Sequence, residues 1–110
     1  MKENPTRRWK PLVFICSPDS GENGRYSRFA KDQGAIPLAP QLFLPLYMEE
    51  TEQEEALFMS TVFLSKCEEV WVFGSRLTPG MAEEIRRGNL WKKKIRFFTE
   101  ECEELTNERS

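Results

Sequence analysis

Four short apolar segments punctuate the chain: PLVFIC (11–16), AIPLA (35–39), EVWVF (69–73) and KIRFF (94–98). The first three run apolar without alternation, the pattern of strands covered on both faces. The fourth alternates more, as expected of an edge strand. Between these runs the apolar positions switch to helical spacing. Phe29 and Ala30 follow Tyr26 at helical intervals, and Gly34 supplies a stop. TEQE at 51–54 reads as a capping box, with Thr51 as N-cap and Glu54 reaching back. Downstream, Ala56, Met59, Phe63 and Cys67 keep a helical stripe that Leu57, Val62 and Leu64 broaden. Thr78 and Pro79 read as N-cap and first-turn proline of a third helix, ending near Gly88.

The resulting order, β-α-β-α-β-α-β, predicts one α/β domain over residues 1–110. Right-handed crossovers leave few topologies. The expected fold is a small three-layer parallel sheet of about four strands, order 2-1-3-4, flavodoxin/Rossmann-like, with helices on both faces. In that order the sheet's switch point lies between the first and third strands, and ligands bind there at the carboxyl ends. The residues at those ends are Cys16-Ser17-Pro18-Asp19 and Gly74-Ser75-Arg76, with Pro40-Gln41 nearby. The segment APQLFLPLYMEET (39–51) is long and apolar for a loop, and is expected to cap the site or form a subunit contact.

Composition narrows the chemistry. Charged residues make up 31% of the chain, yet the formal net charge is only −2, so bulk charge argues neither for nucleic acid, which is not expected as a partner, nor for an acidic membrane surface. The run RRGNLWKKKIR (86–96) is locally basic, but reads as a solvated helix end balancing the dipole and the acidic tail. Histidine is absent and no CxxC pair occurs among the three cysteines, so no metal site is expected. Dispersed cysteines and an N-terminus without an apolar core point to a reduced, cytoplasmic setting. No apolar run approaches the roughly 20 residues of a membrane span. Without histidine there is no Ser-His-Asp triad, no Cys-His pair and no imidazole base. Acid–base work falls to carboxylates, tyrosines, lysines or a perturbed cysteine.

Two adjacent glutamates, Glu83 and Glu84, follow the Thr-Pro-Gly turn. At about 100° per residue, Met81, Ile85 and Gly88 define the helix face against the sheet. Glu84 falls on the border of that face and Glu83 points outward. A carboxylate within about two turns of a helix N-terminus is favoured as the anion, and an enclosed one can attack an electrophilic sugar carbon. CSPDSGENGRYS (16–27) offers either an anion cradle or a flexible turn, and matches neither a dinucleotide nor a triphosphate fingerprint. Within it Asp19 is an acid, a ribose-hydroxyl acceptor or a turn residue. Cys16 reads as a small buried hydrophobe.

Taken together, VFICSP, RFAKDQGAIPLAPQLFLP (28–45), CEEVWVFGSRLTPGMAEEI (67–85) and KKIRFF make the chain resemble the nucleoside 2-deoxyribosyltransferase-like superfamily over residues 11–98. More closely, it is similar to small domains related to those transferases. The resemblance implies that Glu84, in Gly80-Met81-Ala82-Glu83-Glu84-Ile85, attacks the sugar anomeric carbon. It implies a retaining double displacement that releases the nucleobase, with no cofactor and with subunits that pair. A nucleoside or nucleotide is the implied small-molecule partner. Ser17, Pro18, Asp19, Gly74, Ser75, Arg76, Gly80 and Met81 would line the sugar or phosphate pocket, with Asp19 or Tyr47 as acid. Where relatives carry an aromatic after Ser-Pro this chain has Asp19, and where many carry an aspartate after the third-strand glycine it has Ser75-Arg76. A non-catalytic nucleotide-binding module and a phage or mobile-element interaction protein are the competing expectations on the same fold.

Overall fold

The computed structural model describes residues 9–18 and 20–106; Asp19, the N-terminal segment 1–8 and the NERS tail lie outside them. Four strands form where the apolar runs predict them: β1 (Leu12–Cys16), β2 (Ile36–Leu38), β3 (Glu69–Phe73) and β4 (Lys94–Phe98). All pair in parallel, in the order β2-β1-β3-β4. The more alternating β4 lies at one edge, where Phe98 also bridges antiparallel to Glu104. The intervening helices are α1 (Asn23–Asp32), α2 (Pro40–Phe43), α3 (Gln53–Lys66) and α4 (Pro79–Leu90), with short 3-10 turns at Ser20–Glu22 and Leu44–Leu46.

Side chains alternate across the two central strands and divide the core into two layers. Val13, Ile15, Trp71 and Phe73 face α1, where Tyr26 stacks on Phe73 with ring centroids 4.3 Å apart. Phe14, Cys16, Val70 and Val72 face the other way, onto Leu64, Met81 and Ile85 of α3 and α4. Because both faces are covered, these strands carry no polar alternation.

Local signals set the helix ends. Gly34, at φ +91°, ends α1: Gly34 N–H donates to Lys31 and Ala35 N–H to Ala30, the double closure of a Schellman motif. Thr78 caps α4, its hydroxyl accepting from Met81 N–H at 3.1 Å. Two expectations need correcting. Thr51 is not the N-cap of α3; Glu52 stands there, and its carboxylate accepts from Glu49 N–H at 2.7 Å, closing a turn that displaces the capping box. α4 ends at Leu90, two residues beyond Gly88 and so near it, as expected. A Cβ at Gly88 would sit 3.2 Å from Ile95 and 3.3 Å from Val70, so glycine serves a close helix–sheet approach. The 39–51 segment is not a plain loop, since α2 and the Leu44–Leu46 turn occupy it. Pro40 and Pro45 start these two short elements.

Candidate active site

The chain goes from β1 through α1 to β2 on one side, then crosses back through α3 to β3 on the other. The carboxyl ends of β1 and β3 therefore diverge, and a cavity of about 570 Å³ opens beside them. Ser17 enters its wall from the end of β1, Gln41, Leu44, Pro45 and Met48 from the segment after β2, and Thr78, Gly80, Met81 and Glu84 from the start of α4. Ala56, Leu57 and Ser60 of α3 close the far side. The 39–51 segment thus caps the cavity, one of the two roles expected of it.

The two glutamates separate as their helical angles require. Glu83 is exposed and binds Arg86 at 2.8 Å and Arg87 at 2.8 Å. The Arg86 hydrogen bonds hold its carboxyl below the usual range. Glu84 is half-buried, faces the cavity and meets the buried Cys16. Burial pushes the Glu84 carboxyl above the usual range, and the hydrogen bond donated by the Cys16 thiol offsets part of that rise. Burial works against the dipole-favoured anion that the sequence leads one to expect, because Glu84 lies beyond the first turn of α4, where the dipole fades. Burial, reinforced by the Glu84 charge, keeps Cys16 a neutral thiol with its pKa raised. Its role as a small buried side chain stands, with the bond to Glu84 added.

A buried polar network supports the opposite wall. Asn23, 1% exposed at the start of α1, accepts from the Ser17 hydroxyl at 2.8 Å and donates to Gln41 Oε1 at 2.7 Å. It thereby ties the loop after β1 to the segment after β2. Sequence reasoning did not single out Asn23, because an asparagine in a polar, Gly-rich stretch carries no burial signal.

Of the residues expected to line the site, Ser17, Gly80, Met81 and Glu84 come together. Pro18 and the Gly74–Ser75–Arg76 turn do not enter the cavity wall. Gly74, at φ +97°, has Pro18 about 3.4 Å from where a Cβ would stand. Ser75 is drawn toward Glu100, which accepts from its N–H at 3.3 Å and its hydroxyl at 3.4 Å. Arg76 is exposed beyond it, and Tyr47 is 61% exposed outside the wall. Asp19 lies outside the described residues.

Residues 11–98 match the family described as Domain of unknown function (DUF7768). The chain belongs to the DUF7768 family. The match runs from the residue before β1 to the last residue of β4, so it takes in the whole sheet and the cavity of this DUF7768 domain. No curated protein matches the chain. Among the described residues no group of three or more Cys, Asp or Glu is placed to hold a metal ion. Nor is any helix there long and apolar enough to cross a membrane.

Proposed function

We propose that this DUF7768 domain is a cytoplasmic enzyme that breaks or transfers the N-glycosidic bond of a nucleoside or nucleotide, with Glu84 as the nucleophile. The observation that carries the reading is the placement of Glu84. Of the adjacent pair it alone faces the cavity at the switch point, half-buried and beside a buried thiol. The sequence resemblance to nucleoside 2-deoxyribosyltransferase-like proteins puts the attacking glutamate at the same position. The cytoplasmic assignment draws on three free cysteines.

The ionised Glu84 carboxylate attacks the anomeric carbon, the C–N bond breaks and a glycosyl ester forms. A second base or a water then displaces Glu84 from the same face of the sugar as the original base, so configuration is retained. Ser17 and Gln41, fixed by Asn23, supply the polar contacts that orient the sugar, while Leu44, Met48 and Met81 exclude water. Because burial raises the Glu84 carboxyl, the rate should rise with pH as that group ionises.

The test is base release from a panel of nucleosides and their 5′-monophosphates by Glu84→Ala and Glu83→Ala proteins. Glu84→Ala should lower the rate by roughly three orders of magnitude or more, and Glu83→Ala should stay within a few-fold of the parent. Equal turnover by both variants would reject Glu84 as nucleophile. A non-catalytic binding module is the second reading. It is favoured by the cavity wall, whose only titratable side chains among the described residues are glutamates, leaving no separate class of acid. Ligand-induced melting shifts without turnover would select it.

A further inference from the structure

The cavity wall carries four carboxylates, Glu49, Glu50, Glu52 and Glu84, and among the described residues neither lysine nor arginine. With them stand apolar Leu44, Pro45, Met48 and Met81 and the uncharged polar Ser17 and Gln41. Among the described residues of the wall, opposing positive potential comes from the starts of α3 and α4, each worth about half a charge. One of those N–H groups, that of Met81, is already taken by Thr78. The field inside the cavity is therefore negative even with Glu84 protonated. A phosphate on the ligand would be repelled, a neutral ligand would gain nothing, and a cation would be drawn in.

The chemistry of departure points the same way. A neutral nucleobase leaves a sugar as an anion unless an acid protonates it. Among the described residues the wall's titratable side chains are carboxylates alone: Glu84 is committed as nucleophile, and Glu49, Glu50 and Glu52 stand exposed at the rim. A base already carrying a positive charge needs no acid, because it leaves as a neutral molecule. Resting on the N-glycosyl reading above, we propose that the substrate is an unphosphorylated N-glycoside with a cationic base, an N-glycosyl pyridinium or an N-alkylated purinium. In the first step Glu84 forms a C–O bond to the anomeric carbon while the C–N pair passes to the ring nitrogen and cancels its charge. In the second, water adds at the same carbon, the ester C–O pair returns to Glu84, and the water's proton goes to solvent. Glu49, Glu50 and Glu52 at the rim recognise the cation and take no part in bond breaking.

The pair 7-methylguanosine and guanosine differs by one methyl group and one positive charge, and guanosine 5′-monophosphate adds the phosphate. Nicotinamide riboside serves as an independent pyridinium probe. With the full chain, calorimetry should give affinities for the two cations about tenfold or more above guanosine at low salt, with the gap closing as salt rises. The monophosphate should bind most weakly. Free base, measured by chromatography as the rate over the enzyme-free rate, should show the larger enhancement for the cations. A Glu49→Gln/Glu50→Gln double variant alters only exposed side chains. It should weaken cation binding several-fold and narrow the gap between the cations and guanosine. A greater enhancement for guanosine, or preference for the monophosphate, overturns the cationic-base proposal and leaves the N-glycosyl function standing. Cation binding without cleavage supports the ligand class and overturns the enzyme reading. Failure of all four probes to bind or react overturns both.

Discussion

Replacing Asn23 with alanine tests whether the network behind the cavity holds two segments together. Asn23 is 1% exposed, and the Ser17 hydroxyl that donates to it belongs to a residue only 7% exposed. The substitution removes both that bond and the one to Gln41. Each is worth about 1 kcal/mol net, and the void left by truncating a side chain that is 1% exposed adds about 1 kcal/mol or more. The expected loss is about 2–4 kcal/mol. For a domain of this length, unfolding entropy converts that to a fall in melting temperature of roughly 10–15 °C. Thermal unfolding followed by far- and near-ultraviolet circular dichroism checks it, with coincident transitions showing that one event is observed. Gln41→Ala is the internal control. Gln41 is exposed and loses its hydrogen bond from Asn23, so the cost should be about 1 kcal/mol or less. An Asn23→Ala protein melting within about 2 °C of the parent would refute the reasoning, because relaxation would then have satisfied Ser17 and Gln41 without Asn23.

Glu84→Gln should stabilise the domain at neutral pH. A carboxyl whose folded pKa is raised holds its proton in the native state after the unfolded chain has lost its own, so native stability falls as pH climbs from the ordinary carboxylate range through the raised value. The variant's melting temperature should exceed the parent's at about pH 7.5 and match it at about pH 4; no difference at either pH would contradict the burial argument. A homo-oligomer is expected through the apolar side chains left in water, Leu46 at 81% exposure, Tyr47 at 61% and Leu42 at 46%. Light scattering at micromolar concentration should give at least a dimer mass, and Leu46→Glu should reduce it; a monomer in the parent protein refutes this.

The strands were legible because parallel pairing inside two covered faces leaves no room for polar alternation, and PLVFIC and EVWVF contain none. Their order followed from handedness once the helices were placed. Thr78-Pro79 and Gly34 were equally readable, since each acts through its own backbone geometry. The capping box at Thr51 failed because the chain just before it folds back through Glu49 and Glu52, a tertiary constraint with no local signature. Of the apolar residues expected to meet a second subunit, Leu44 is buried within the chain and Phe43 packs edge-on against Phe63, with ring centroids 5.4 Å apart. Apolarity alone does not say which neighbour a side chain will find. At the site, angular position on one helix resolved Glu84 from Glu83. Position at a strand end did not show that Ser75 would turn to Glu100, 25 residues away, instead of toward the cavity. The Ser17–Asn23–Gln41 link spans two loops and was invisible for the same reason.

The burial that singles out Glu84 also works against it as a nucleophile, since attack requires the anion and desolvation favours the acid. The start of α4 cannot reverse this: Glu84 lies past the first turn, and the Cys16 thiol donates only a weak hydrogen bond. A ligand that fills the cavity expels more water and raises the carboxyl further if it is neutral. A phosphate adds a like charge and raises it again. A cationic base seated near Glu84 does the opposite, because an adjacent positive charge favours the ionised carboxylate. With such a ligand, the substrate itself supplies the charge that favours the Glu84 anion, and that charge disappears when the base departs. The glutamate is then an ester and no longer needs stabilising as an anion. Neutral substrates would have to meet the cost of ionisation from binding energy elsewhere. An acidic, largely apolar cavity built around a half-buried glutamate is therefore internally consistent for one charge type of substrate, and this consistency gives the exposed rim glutamates a part in the chemistry without contact with the reacting bond.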